Sequence, residues 1–198
     1  MNHVHTSFIH GNSFKCGQNV IIEEDVIVGH DVVLGHNVTL KSGTRIMNDV
    51  TFADYVKTTG LCIVGNHVGA RTGACISKSV IINDWAFIGP GIMTNHTKNV
   101  CHGRPHINEV QLITRIGYGA VIGSMCSLIA GLTIGDNVVI AAGTSVYKDI
   151  LEPGIWGGEP LRKIRNLDVE FMIQKPDDYI PYEFAKELLR KYLPNCLA

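Results

Sequence analysis

From residue 16 to residue 93 a large inward-type residue returns at every sixth position without a slip in register. Cys16, Ile22, Val28, Leu34, Leu40 and Ile46 open the series, and Ile76, Ile82 and Ile88 close it. Four residues after each comes a smaller companion, among them Val20, Val26, Val32, Val38 and Val50. The block holds thirteen steps; its weakest points are Thr58 and Ala70, where a loosened coil is expected but no insertion. A second block carries Val110, Ile116, Ile122, Leu128, Ile134, Ile140 and Val146 in the same spacing, to residue 151. A period of six is neither helical nor a plain alternating strand. It fits a very short strand followed by a turn, repeated. The companion of one step lies two residues before the large residue of the next, so both face inward from one short strand. Gly17, Gly29, Gly35, Gly65, Gly89, Gly117, Gly123 and Gly135 follow the large residue, and Asn19, Asp31, Asn37, Asp49 and Asn137 come two positions later, as tight corners require. Such a ladder predicts a parallel β-helix, of which a hexapeptide repeat is a sequence signature.

The chain has 198 residues, enough for one domain with a core. Its 17 basic and 18 acidic residues nearly cancel, which argues against charge-driven nucleic-acid or membrane binding. The cysteines lack CxxC spacing, and Cys16, Cys62 and Cys126 fall on inward ladder positions. They read as reduced core residues of a cytoplasmic protein rather than a disulfide framework. No basic start followed by an apolar run marks a signal peptide, and no stretch approaches a membrane-spanning length.

Three regions follow. Residues 1–15 read as an irregular, His-rich lead-in whose Phe8 and Phe14 cover the open end of the coil. Residues 16–151 are the coil, interrupted at 94–109 by TNHTKNVCHGRPHINE, a polar excursion with a Gly-Arg-Pro turn. Loops of that length on a rigid scaffold are where sites are commonly built. Residues 152–198 hold the IWGGEPLRKIRNL segment and a helix expected at about 181–193, from Phe184, Leu188, Leu189 and Tyr192, with Asp177 or Asp178 as its cap.

IGYGAVIGSMCSLIAGLTIGDNVVIAAGTSVYKDI followed by GGEPLRKIR resembles the hexapeptide-repeat acyltransferases. These are left-handed parallel β-helix enzymes that include maltose and galactoside O-acetyltransferases, xenobiotic acetyltransferases and nucleotide-sugar N-acetyltransferases. The resemblance covers about three quarters of the chain. It implies the left hand of the coil, acetyl-CoA as cosubstrate without a metal, a sugar or amino-sugar acceptor, and a homotrimer with active sites between adjacent subunits.

The resemblance also assigns roles. In the segment IGPGIMTNH the residue matching the family's catalytic base is His96, expected to take the proton from an acceptor hydroxyl or amine as it attacks the thioester. Asn95 beside it is a candidate for acceptor binding. Ser124 matches the residue whose backbone N–H faces the thioester carbonyl. Ala142 and Gly143 match the narrow edge along which the pantetheine arm lies, and Val121 stands where the family has a Trp. Gly158, Arg162, Lys163 and Arg165, with Pro160, match the turn that meets the adenine nucleotide, where cations suit phosphates. Two other readings stand beside this one. His96, His102 and His106 share a loop, as a γ-carbonic-anhydrase-like metalloenzyme requires of some of its ligands. A non-catalytic β-helix scaffold needs none of these residues.

Overall fold

Two-residue strands linked by tight corners cannot bury anything alone, so the chain buries its inward side chains by stacking coil on coil. The computed structural model describes residues 1–182 and the backbone of Cys196–Leu197. Within them the strands sort into three parallel sheets, A, B and C, that form the sides of a triangular prism. Sheet A includes His3–Val4, Cys75–Ile76, Met93–Thr94 and Ser127–Leu128; sheet B includes Ile9–His10, Ile63–Val64 and Thr114–Ile116; sheet C includes Lys15–Cys16, Val121–Ile122 and Val138–Ile140. Paired residues in most rungs lie eighteen apart, as with Ile21 and Thr39 or Ile27 and Arg45, which is three hexapeptides per coil. The fold is thus the expected parallel β-helix of hexapeptide repeats.

The axis is one continuous apolar column, with Ile22, Leu34, Phe52, Ile76, Ile88, Ile122 and Ile140 all at most 2% exposed. The two weak points hold. Ala70 is fully buried, and Thr58 is satisfied inside by Thr44 Oγ1 at 2.8 Å and the Lys41 N–H at 2.9 Å. Cys62 and Cys126 are buried as expected, but Cys16 is exposed because it lies in the first, uncovered coil.

The ladder starts earlier than the sequence reading places it. Residues 1–15 are a coil of the prism, with His3–Val4 pairing Ile21–Ile22 and Ile9–His10 pairing Ile27–Val28. Val4, His10, Phe8 and Phe14 continue the six-residue register backwards, a pattern hidden by the polar residue at position 10. Phe8 and Phe14 pack against the core at this end, their rings 5.3 Å apart, but leave His10 and Cys16 exposed.

The corners carry a second ladder. On the B–C corner each backbone N–H is received by a side chain one coil on: Asn12 by His30 Nδ1 at 2.9 Å, His30 by Asn48 Oδ1 at 2.8 Å, Asn48 by Asn66 Oδ1 at 3.0 Å and Asn66 by Asp84 Oδ1 at 2.8 Å. His30 and His36, exposed at their corners, are therefore corner caps; His36 Nδ1 receives the Gln18 N–H at 3.0 Å. The turn residues Asn19, Asp31, Asn37, Asp49 and Asn137 all have φ between 53° and 57°. Trp85 takes the same conformation despite its bulk, with its ring stacked 4.1 Å from that of His67.

The expected helix at 181–193 falls almost wholly outside the described residues. The segment before it runs back down the B–C corner. Asn137 exchanges two hydrogen bonds with Ile173, Lys175 pairs with Asp136, and Tyr182 donates to Asp84 Oδ1 at 2.6 Å. Outside sheet B, Leu61, Ile63, Ile81 and Ile113 form a second buried cluster against Met47 and Tyr182. No helix among the described residues is long and apolar enough to cross a membrane.

Candidate active site

Thr94 is the last residue before the excursion and still belongs to the coil. Its side chain is buried and receives the Ser77 N–H at 2.7 Å, which lets a polar residue hold an inward position. The coil resumes not at Val110 but at Thr114–Ile116, so the excursion is 95–113. Gln111–Leu112 stands outside the three main sheets, bridged to Thr97 and paired with the backbone of Cys196–Leu197. Leu112 also donates its N–H to the His96 carbonyl at 2.9 Å. His96 is thereby fixed at the root of the excursion, on the A–B corner, by a small ladder of its own.

The His96 ring is partly buried, and it makes no hydrogen bond among the described residues. Burial holds its pKa below the ordinary histidine value, the Lys78 ammonium adds to that, and the Glu109 carboxylate opposes it. Lys78 Nζ and Glu109 Oε1 are 3.9 Å apart. The imidazole is thus neutral, unspent and ready to accept a proton at neutral pH. Asn95 is differently placed. Its backbone N–H and its side-chain Nδ2 both donate to the Leu128 carbonyl at 3.0 Å, and the residue lines a small cavity of about 210 Å³ together with Thr97 and Ile129. His96 does not line that cavity. His102 and His106 are exposed along the excursion, and no three His, Cys, Asp or Glu side chains among the described residues are grouped to hold a metal.

Ser124, Ala142 and Gly143 meet on the C–A corner. Gly143 donates to the Ser124 carbonyl at 2.8 Å. The capping seen elsewhere lapses here: the N–H groups of Ser124 and Ala142 have no acceptor among the described residues, since the residue one coil above Ser124 is Ala142. Gly143 has φ 71° and open space around it. The result is an exposed edge of free amide donors without side chains to obstruct it. At its end the antiparallel pair Gly154–Gly157 and Arg162–Arg165 closes sheet C. Arg162 reaches back to Gly158 and has no carboxylate partner among the described residues. Lys163, on the opposite face of the strand, is held by Glu152 at 2.5 Å, and Arg165 by Asp168 at 3.5 Å. The three cations therefore do not form one cluster.

No family model matches the chain. Serine acetyltransferase 2 of Arabidopsis thaliana is 28% identical over 128 residues, 63% of this chain and 38% of that one. Galactoside O-acetyltransferase of Escherichia coli is 35% identical over 92 residues, 46% of this chain and 45% of that one. In sequence the chain is similar to these acetyltransferases. It spans less than half the length of the curated relatives it matches. A solved galactoside acetyltransferase in complex with coenzyme A aligns with 84% of this chain and 72% of its own, at 25% identity and a TM-score of 0.43.

Two residues that act on the His96 ring were missing from the sequence reading. Lys78 lies on the coil below His96, and Glu109 at the far end of the excursion. The eighteen-residue coil offset from Lys78 to His96 carried the first signal; nothing local marked the second.

Proposed function

We propose that this chain is an acetyltransferase that uses acetyl-CoA and delivers to a hydroxyl or amine of a sugar or sugar nucleotide, as a homotrimer. The observation that carries the reading is His96: a neutral, partly buried imidazole with no hydrogen-bond partner among the described residues, rooted where the coil is interrupted. The acetyltransferase relatives support the same chemistry.

In this reading a ring nitrogen of His96 takes the proton from the acceptor as its oxygen or nitrogen attacks. The Ser124 N–H, without another acceptor among the described residues, donates to the oxygen on which negative charge develops. The free Ala142 N–H and the open edge at Gly143 hold the pantetheine arm, and Gly158 lets the turn approach it closely. Arg162 is the cation best placed for a phosphate, because Lys163 and Arg165 already have carboxylate partners. Acetyl-CoA supplies an activated thioester, so no enzyme nucleophile is needed, and the buried cysteines support that: burial pushes the Cys62 thiol up to about 12 and raises that of Cys126. Calorimetry with acetyl-CoA and a thiol-release assay over sugars, amino sugars and nucleotide sugars test this. The reading requires coenzyme binding and acceptor-dependent release that His96→Ala abolishes; absence of coenzyme binding at millimolar concentration ends it.

A further inference from the structure

Two concavities among the described residues do not contain His96. They lie below it on the same A–B corner, with volumes of about 480 and 560 Å³, and both are walled by His5 and Glu24. They therefore form one trough. Its lower end rests on Val4 and Ile21, and its upper end passes Ser42 and Leu61 to reach Lys78. From the coil of His5 to that of Lys78 there are four inter-strand steps, about 19 Å at about 4.8 Å each. Lys78 lies across Gly60, where a Cβ would meet the Lys78 Cβ at 3.1 Å, and its ammonium meets Glu109 at 3.9 Å. The upper end of the trough is thus the foot of the excursion that carries His96.

Most charges along this wall are already neutralised. Glu23 is held by Lys41, Asp25 by Arg45 at 3.1 Å, and Lys78 by Glu109. One carboxylate, that of Glu24, has no partner among the described residues. Around it stand small hydroxyls: Ser7 Oγ, which receives the Asp25 N–H at 3.0 Å, and Ser42 Oγ, which donates to the Glu24 carbonyl at 3.1 Å. Patches of aliphatic surface alternate with hydroxyls, and the one carboxylate left unpaired among the described residues, that of Glu24, is the only net charge offered. A strongly charged polymer finds no row of counter-charges here, and a greasy chain finds too many polar groups. A hydroxyl-rich chain with apolar C–H faces satisfies both.

We infer that the trough holds the body of an oligosaccharide whose terminal unit reaches His96. The inference rests on the transferase reading and narrows its acceptor to a glycan chain. The test uses the full-length protein, acetyl-CoA and three series of acceptors, the β-1,4-linked glucose, galactose and N-acetylglucosamine oligomers from one to five units, with thiol release as the readout. In at least one series KM falls about tenfold or more between the monomer and the longer members. Ser42→Trp fills the trough and collapses that ratio toward one. Glu24→Ala, a smaller change whose fold is checked by circular dichroism, lowers the ratio by a few fold. Thiol release that is independent of chain length, or no release with any member while acetyl-CoA binds, overturns the inference and leaves the coenzyme reading standing. Failure to bind acetyl-CoA overturns both.

Discussion

Gly123 tests whether coil stacking and the candidate site are one physical object. A Cβ built there lies 2.6 Å from both Ala142 N and Ile140 O, which are backbone atoms of the next coil. Ordinary contact begins near 3.4 Å, so Gly123→Ala forces the two coils apart by about 0.8 Å at this corner. The hydrogen bonds flanking it, Gly123 N–H to Ile140 O at 2.9 Å and Gly143 N–H to Ser124 O at 2.8 Å, then stretch to about 3.6–3.7 Å. That is outside hydrogen-bond range, and two lost bonds at about 0.5–1.5 kcal/mol each give a destabilisation of about 1–3 kcal/mol. Gly143→Ala is the control: nothing stands within 4 Å, and only its φ of 71° opposes a side chain, for about 1 kcal/mol. Denaturant unfolding at fixed protein concentration compares the two. The same shift moves the Ser124 amide, and misplacement of that size costs up to about a hundredfold in rate. Gly123→Ala must therefore lose more activity and more stability than Gly143→Ala. Equal unfolding midpoints for the two variants refute the stacking argument.

Three further outcomes are expected. His96→Ala lowers acetyl transfer by about 10²–10⁴-fold while calorimetry still registers acetyl-CoA. The acid limb of kcat/KM has its midpoint below the ordinary histidine value, because the lowered pKa keeps the base neutral to lower pH; Lys78→Gln moves that midpoint up, Glu109→Gln moves it down, and pH–rate profiles of the three proteins decide. Tyr182→Phe removes a 2.6 Å hydrogen bond to the Asp84 carboxylate and costs about 1.5–3 kcal/mol, read from unfolding midpoints, with hydrogen exchange in 173–182 speeding up.

The prism was legible because a period of six leaves few ways to bury the inward residues, and Ile22, Ile76, Ile122 and Ile140 lie where the register puts them. The ladder's ends were misjudged for one reason in both places. His10 and Thr94 are polar, and their inward positions are tolerable only because of what surrounds them, an open end for His10 and the Ser77 amide for Thr94. Partnerships between distant residues left no local trace. Lys78 with Glu109, Asp84 with Tyr182 and Asn137 with Ile173 are separated by 31 residues or more. Corner capping by His30 and His36 left no local trace either, because it depends on a neighbour eighteen residues away, whereas a single corner looks like any turn.

His96 and Ser124 stand at opposite ends of sheet A, His96 where Met93–Thr94 leaves it and Ser124 where the chain enters Ser127–Leu128. One side of the triangle, four or five extended residues or about 15 Å, lies between them. No group can both take a proton at one corner and stabilise charge at the other within one reaction, so the proposed chemistry needs His96 of one copy against the C–A edge of another. This makes a quantitative prediction. His96→Ala removes the base, and Ala142→Trp obstructs the edge; in the proposed homotrimer each variant alone is expected to be inactive. In trimers reassembled from an equal mixture, a site works only when the base comes from an Ala142→Trp chain and the edge from its His96→Ala neighbour. Random assembly makes about one site in four of that kind. Thiol release should recover to about a quarter of the wild-type rate. A site confined to one chain recovers nothing on mixing, and that result would refute the shared-site argument.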